Sequence, residues 1–216
     1  QWLQLVQGWS PLQSGLALLP AAVTGVLAGP FAPAVAARTG ARAVLVGGLV
    51  SGGLGFALIG VLPQPLPYAG VAVGLGLVGL GTASLAVASA VIMSAAPADH
   101  AGSAAAIEES SYELGAVLGV AVLGSLAAAV YRAGLPVGGL DTLSPADAAA
   151  ARESVGGAVE ISVRSGPDGA ALLVAAQEAF TEALAVTGLA GGALMLVAAL
   201  VVARLAPRDL DVSAGH

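Results

Sequence analysis

Residues 106–125 read AIEESSYELGAVLGVAVLGS. From Leu114 onward almost every position is apolar or small, yet Glu108, Glu109 and Glu113 stand at the head of the stretch. No Lys or Arg lies within eighteen residues of them on either side. Extended to 104–131, the run exceeds the ~20 apolar residues that carry a helix across a hydrocarbon core of ~30 Å. It lacks the period-two alternation of a barrel strand. The stretch therefore reads as a helix inside a membrane that carries three acids.

The rest of the chain agrees with that reading. Hydrophobic residues make up 57% of the 216 positions and charged residues 9%, with a mean hydropathy of +0.93. A soluble domain has ~25% charged residues, so the composition alone indicates a membrane protein. Four further runs are long and apolar enough to span: 14–37, 42–62, 68–95 and one within 179–205 that stays apolar to 203. The expected fold is all-α with five transmembrane helices. Residues 1–13 read as the end of a preceding helix and an outer loop. The opening QWLQLVQGW has no initiator Met, basic leader or cleavage site, so residue 1 is expected to lie inside a longer protein. Heavy use of Ala, Gly and Val suggests a bacterial source.

Composition also excludes function classes. A net charge of −6 and the absence of any lysine argue against a nucleic-acid partner. With no cysteine, thiolate chemistry and disulfides are ruled out. The two histidines, His100 and His216, form no cluster for a metal. The glycine-rich stretches lack both strand context and a P-loop lysine, and no nucleophile sits beside a base. Neither an enzyme, a metal nor a cofactor is expected.

Three connections are short: RTGAR (38–42), PQPLP (63–67) and APADHAG (96–102). The fourth, 132–178, carries Asp141, Asp147, Glu153, Glu160 and Asp168 with three arginines, and reads as a solvated loop. Within it Ser144, Pro145 and Asp147 have the spacing of an N-cap, a first-turn proline and an acid at N3, so a short surface helix is predicted there. Glu178 and Glu182 read as a wet turn before the last span. Short basic connections stay cytoplasmic, which places Arg38 and Arg42 inside, the 132–178 loop outside, and the 206–216 tail with Arg208 inside. Arg132, at the outer end of the fourth span, runs against this scheme.

Within the spans, Pro20, Pro30 and Pro33 each remove a backbone donor, so the first is predicted to bend. Small residues recur at four-residue spacing (Gly48 and Gly52; Gly47, Ser51 and Gly55; Gly70 and Gly74), a pattern that lets helices approach closely in lipid. For Thr24, Ser51, Thr82, Ser84 and Ser89 a hydrogen bond to a carbonyl of the same helix is the simplest expectation. Thr24 is also a candidate for lining a cavity, and Tyr112 a second.

On a wheel of ~100° per residue with Glu108 at zero, Tyr112, Gly115 and Gly119 fall within about 40° of it. Glu109 and Glu113 lie at about 100° and 140°, and Ile107, Leu114, Val117, Leu118 and Ala121 at about 180–280°. The acids thus occupy two adjacent faces and the aliphatic side chains the remaining arc, which is expected to meet lipid. With a boundary near Ser103, Glu108 sits ~8 Å deep and Glu113 ~15 Å deep at 1.5 Å per residue. An ionised carboxylate near the midplane costs at least ~2.5 kcal/mol. Either these acids carry protons much of the time, or they face a watery cavity that receives a cation. Glu109 and Glu113, one turn apart, are expected to exchange protons as a coupled pair.

Three stretches together resemble a known family: QWLQLVQGWSPLQSGLALLP (1–20), PFAPAVAARTGAR (30–42) and PADHAGSAAAIEESSYELGAVLGVAVLGS (97–125). In this order they are similar to the fourteen-helix drug:proton antiporters of the major facilitator superfamily, nearest the quaternary-ammonium and multidrug efflux pumps. The resemblance covers residues 1–132 and resumes in the last span. It implies the C-terminal half of a major facilitator fold, with the five spans as helices ten to fourteen. It further implies that Glu108, Glu109 and Glu113 occupy the helix associated with proton coupling and recognition of cationic drugs. The motif of Arg38, Gly40 and Arg42 looks like a degraded second copy of the superfamily's cytoplasmic loop, with Ala37 where an acid usually stands. Some relatives that export bulky dications carry an acid in the helix matching 14–37, and this chain has none. The implied partners are protons driven by their gradient, a cationic or amphiphilic drug, the lipid bilayer and the missing N-terminal half. An exporter of an endogenous antibiotic, lipid or metabolite, or a non-transporting scaffold or sensor, remains an alternative.

Overall fold

The structure, a computed structural model, describes residues 1–136, 140 and 143–207. Asp141, Arg208 and His216, and all of the 206–216 tail beyond residue 207, lie outside the described residues. Among those described there is no strand. Five helical stretches are long and apolar enough to cross a membrane: Pro11–Thr39, Ala41–Val61, Tyr68–Ala95, Ala101–Gly134 and Val155–Leu205. The chain is thus all-α with five candidate spans, the fold class read from its sequence. It divides into two compact units, one of 17–119 with 188–216, the other of 1–16 with 120–187.

Proline sets the shape of the first stretch. It is not one helix but α1 (Pro11–Ala17), α2 (Leu19–Ala28), a 3-10 turn at Gly29–Phe31 and α3 (Ala32–Thr39). The interruptions fall just before Pro20 and around Pro30 and Pro33, where the ring removes a backbone donor and crowds the preceding turn. At the first break the Ala21 N–H turns to the Leu18 carbonyl at 3.2 Å. The Tyr68 hydroxyl donates to the Ala17 carbonyl there at 3.1 Å.

The second stretch is the unbroken helix α4 (Ala41–Val61), and the third is α5 (Tyr68–Thr82) followed by α6 (Ser84–Ala95). No proline explains the interruption at Ala83. The Thr82 hydroxyl donates to the Gly79 carbonyl at 2.7 Å and the Ser84 hydroxyl to the Gly81 carbonyl at 2.8 Å. Side chains that bond back three residues compete with the helix ladder and bend it.

In the first unit α4 and α5 form the most extensive helix pair, and the approach is backbone to backbone. A Cβ on Gly74 would sit 2.9 Å from the Gly55 carbonyl oxygen, and one on Gly81 would sit 2.6 Å from that of Gly48. The neighbouring face of α4 receives the last helix, α10 (Ala170–Leu205), where a Cβ on Gly192 would lie 2.8 Å from the Gly53 carbonyl. Glycine in a helix costs roughly 0.5–1 kcal/mol against alanine. That cost is accepted where two backbones need the room. Gly47 is different, since a Cβ there meets nothing within 4 Å.

The second unit is held by a hydrophobic core of larger side chains. The fourth span, α7 (Ala101–Gly134), ends in it. Between the end of α7 and the start of α10, the segment 132–178 holds not one short helix but two, α8 (Pro145–Glu153) and α9 (Val155–Ser165), and α10 takes up its last residues from Ala170 on. Ser144 caps α8, its Oγ accepting from the Asp147 N–H at 3.1 Å, as the local spacing predicts. Ser154 caps α9 in the same way, accepting from the Gly157 N–H at 3.1 Å. Arg164 pairs with Asp147 and ties the two helices together. Between them Ala151, Val155, Ala158 and Ile161 pack with Tyr131, Leu172 and Ala176, and the Tyr131 hydroxyl donates to the Ala151 carbonyl at 2.9 Å. The Gln177 amide donates to the Leu5 carbonyl at 2.8 Å, which holds the N-terminal turn against α10.

Two outcomes are expected. Gly55→Val presses side-chain atoms on the Gly74 carbonyl and should destabilise the detergent-solubilised protein by about 1–3 kcal/mol, lowering its thermal midpoint, whereas Gly47→Ala should leave the midpoint unchanged or raise it. Tyr131→Phe strands the buried Ala151 carbonyl and should cost about 1–3 kcal/mol, read as an earlier loss of helical circular dichroism on heating.

Candidate functional site

Helix α7 runs 34 residues without interruption because nothing in it breaks a helix. It contains no proline, it is rich in alanine, and the Ser111 hydroxyl turns back onto the Ile107 carbonyl at 2.7 Å. At 1.5 Å per residue it is ~50 Å long, well beyond the ~30 Å of a bilayer core. Glu108 falls ~10 Å and Glu113 ~18 Å from its start. Glu108 is half-buried within this chain, while Glu109 and Glu113 are exposed. Tyr112, one turn on from Glu108, is 43% exposed.

None of the three carboxyls has an ion-pair partner among the described residues. The pairs present there are Asp99 with His100 and Asp147 with Arg164. The aliphatic arc of the helix is equally uncovered, with Ile107, Leu114, Val117 and Leu118 each more than 60% exposed. A Cβ added at Gly115 or Gly119 would meet nothing within 4 Å. These glycines contrast with those of α4 and α5, where the same addition meets carbonyl oxygen. The upper part of α7 therefore presents both its acidic and its aliphatic faces unpacked.

Thr24 lies elsewhere, at the contact of α2 with α5. Its hydroxyl is within 2.8 Å of the Pro20 carbonyl on its own helix and 2.8 Å of the Gly76 carbonyl on α5. Ser51 reaches from α4 to the adjacent carbonyl, Leu77, at 2.7 Å. For both hydroxyls the expected bond within the same helix is joined or replaced by one between helices. The residue types alone carried no signal for this, because the acceptor is a backbone carbonyl supplied by tertiary packing.

The basic turn forms a third place. Arg38 is exposed in the last turn of α3 and Arg42 half-buried in the first turn of α4. Gly40 between them has φ +87°, a conformation L side chains rarely adopt. Its N–H closes α3 on the Ala36 carbonyl at 2.8 Å. Buried Ala32, Ala36 and Ala41 pack with Val87 under the turn. Neither arginine has a carboxylate partner among the described residues. The acids and Tyr112 on α7, Thr24 at α2–α5, and the basic turn are thus three separate places that no described hydrogen bond joins.

Ionisable groups within a membrane-crossing helix are costly and mark pathways for ions or substrates. Together with glycine-packed helices they define a multi-span helical membrane protein with a polar site inside one span. No family model matches the chain. It is 37% identical over 206 residues to the multidrug efflux pump LfrA of Mycolicibacterium smegmatis, a match covering 94% of this chain and 40% of that protein. It is 36% identical over 206 residues to the methyl viologen resistance protein SmvA of Salmonella typhimurium, covering 93% and 40%. The multidrug resistance protein Stp of Mycobacterium tuberculosis is 33% identical over 130 residues, covering 60% and 24%. Over nearly its whole length the chain is thus similar to part of bacterial proteins named for multidrug efflux and resistance, and its five candidate spans make it a multi-pass protein of the bacterial cell membrane. It spans about 40% of the length of the first two of these relatives.

Thr24→Val removes the donor to Gly76 at nearly constant volume. Interhelical hydrogen bonds in membrane proteins average ~0.6 kcal/mol and reach ~1.7. Thr24→Val is expected to lower the thermal midpoint in detergent by that amount of stability, and Thr24→Ser to restore it.

Proposed function

We propose that this chain works as part of a proton-coupled multidrug exporter, in which Glu109 and Glu113 bind protons and cationic or amphiphilic compounds in alternation. The observation that carries this reading is the set of three acids in α7 that have no cationic partner among the described residues. A carboxylate in the low dielectric of a membrane needs a counter-charge or a proton. An exchangeable partner of either kind couples two fluxes. When a proton enters from outside and neutralises the pair, a bound cation loses its attraction and leaves. When the proton departs to the cytoplasm, the charge returns and the next cation is favoured. Glu108, on the adjacent face with Tyr112, borders this path.

The names of the relatives support the substrate class. Methyl viologen is a dication and contains no acidic group, which suits an acidic site. Three carboxyls on α7 supply the negative charge that no acid in 14–37 provides. Sites in such transporters lie between two repeats near the midplane, so the chain acts with further helices of a longer transporter. In this arrangement the Arg38–Arg42 turn faces the cytoplasm and α8 and α9 face outward.

Glu113→Gln in the complete transporter keeps the shape of the side chain and removes the exchangeable charge. Proton-driven efflux of a cationic dye from energised cells is expected to fall roughly tenfold or more, the loss of an interaction on which turnover depends. Glu113→Asp should retain part of the activity. Efflux by Glu113→Gln at the normal rate and with normal dependence on the proton gradient would sink the coupling role.

A further inference from the structure

The first unit contains a cleft of 620 Å³ along α3 and α4, floored by α5 and α6. It begins at Ala28 and ends at Thr39, with Phe31, Val35, Val44 and Leu80 among its walls. Eleven residues of helix at ~1.5 Å each give ~16 Å, about half of a ~30 Å hydrocarbon core and so the depth of one leaflet. The cleft offers no free hydroxyl proton. Thr39 donates to the Val35 carbonyl at 2.9 Å, Ser51 to Leu77 and Ser84 to Gly81. Such a channel solvates a hydrocarbon chain and offers little to a polar or cationic compound.

Charge at its mouth narrows the occupant further. Arg38 does not itself line the cleft, but it follows Val35 by three residues and Phe31 by seven, which puts it above these two lining residues on the same side of the helix. The guanidinium is exposed and has no carboxylate partner among the described residues. Phe31 and Val35 beneath it are themselves exposed. An apolar trough one leaflet deep, topped by an unpaired cation, is complementary to a lipid with an anionic headgroup.

We propose that this cleft binds an anionic phospholipid, one acyl chain lying along α3 and α4 and the phosphate paired with Arg38. Anionic lipids populate the cytoplasmic leaflet, where basic residues at the membrane surface attract them. The site is distinct from the acids of α7. It bears on the turn at Gly40, since a lipid held by Arg38 braces the last turn of α3 against the start of α4.

Native mass spectrometry of the complete transporter, released from detergent with phosphatidylglycerol or phosphatidylcholine, tests this. One phosphatidylglycerol per chain should be retained in preference to phosphatidylcholine by about fivefold, the factor that ~1 kcal/mol from one arginine supplies. Arg38→Gln should abolish the preference while leaving weak retention of both lipids. Gly47→Phe should abolish retention of both, because Gly47 lines the cleft and a Cβ there meets nothing within 4 Å, so the ring enters the trough. Should Gly47→Phe fail to fold, the Arg38→Gln comparison decides alone. Equal retention of the two lipids by the unaltered protein, or an unchanged preference in Arg38→Gln, overturns the proposal. So does a dimer that Gly47→Phe dissolves, which gives the cleft to a second copy, or displacement of the lipid by a cationic dye, which gives it to the transported compound.

Discussion

Hydrocarbon gives helices no hydrophobic reason to associate, so contact between them depends on how closely their backbones approach. In the first unit that constraint is met at α4 and α5, where Gly55 and Gly74 lie so near that neither has room for a side chain. The rest of the unit is arranged on this contact. Because α5 is lined with glycine, its carbonyls are accessible from the side, and two consecutive ones are used. Thr24 takes Gly76 from one neighbouring helix and Ser51 takes Leu77 from another. Tyr68, at the start of the same helix, reaches the broken turn at Ala17. The glycines thus do two things: they admit the partner backbone, and they leave polar backbone atoms open to the hydroxyls that fix the neighbours.

The second unit follows the rules of water. Its helices are short, capped by Ser144 and Ser154, and charged on the outside, with Asp147 and Arg164 paired there. Its interior is filled by Tyr131, Val155, Ile161 and Leu172 rather than emptied by glycine. Helices α7 and α10, of 34 and 36 residues, take part in both units. Along α7 the surroundings change: Gly119 and Gly124 meet nothing within 4 Å, while Gly134 lies against Ala179.

Features that depend on nearby residues were legible in the sequence. The spans follow from long apolar runs, the breaks in Pro11–Thr39 from its prolines, and the start of α8 from Ser144, Pro145 and Asp147. Features that depend on a neighbour were not. Gly47 and Gly48 sit side by side in the sequence with the same small-residue spacing, yet one opens onto a cleft and the other packs on Ser84. Helix α9 was hidden because Gly156 and Gly157 in its first turn argue against a helix, and only the core formed with Tyr131 and Leu172 outweighs them. The sidedness of α7 is readable on a wheel, but Ile107, Leu114, Val117 and Leu118 on its aliphatic arc are left exposed by the described residues.

Polar groups in the spans fall into two kinds. Hydroxyls such as Thr24, Ser51, Thr82 and Ser84 are satisfied by a backbone carbonyl nearby, at the cost of a local bend or as part of a helix contact. Carboxyls cannot be satisfied that way. A carbonyl repels an ionised acid, and a helix interior has no spare N–H to offer beyond its first turn. Glu108, Glu109 and Glu113 stand past the first turn of α7, so only a cation, a proton or water can offset their charge. An arginine in a neighbouring span would do so permanently and would turn the acids into structural elements, as Arg164 does for Asp147. The described spans contain no such arginine opposite them, and under the proposed function that vacancy is what keeps the carboxyls available for exchange.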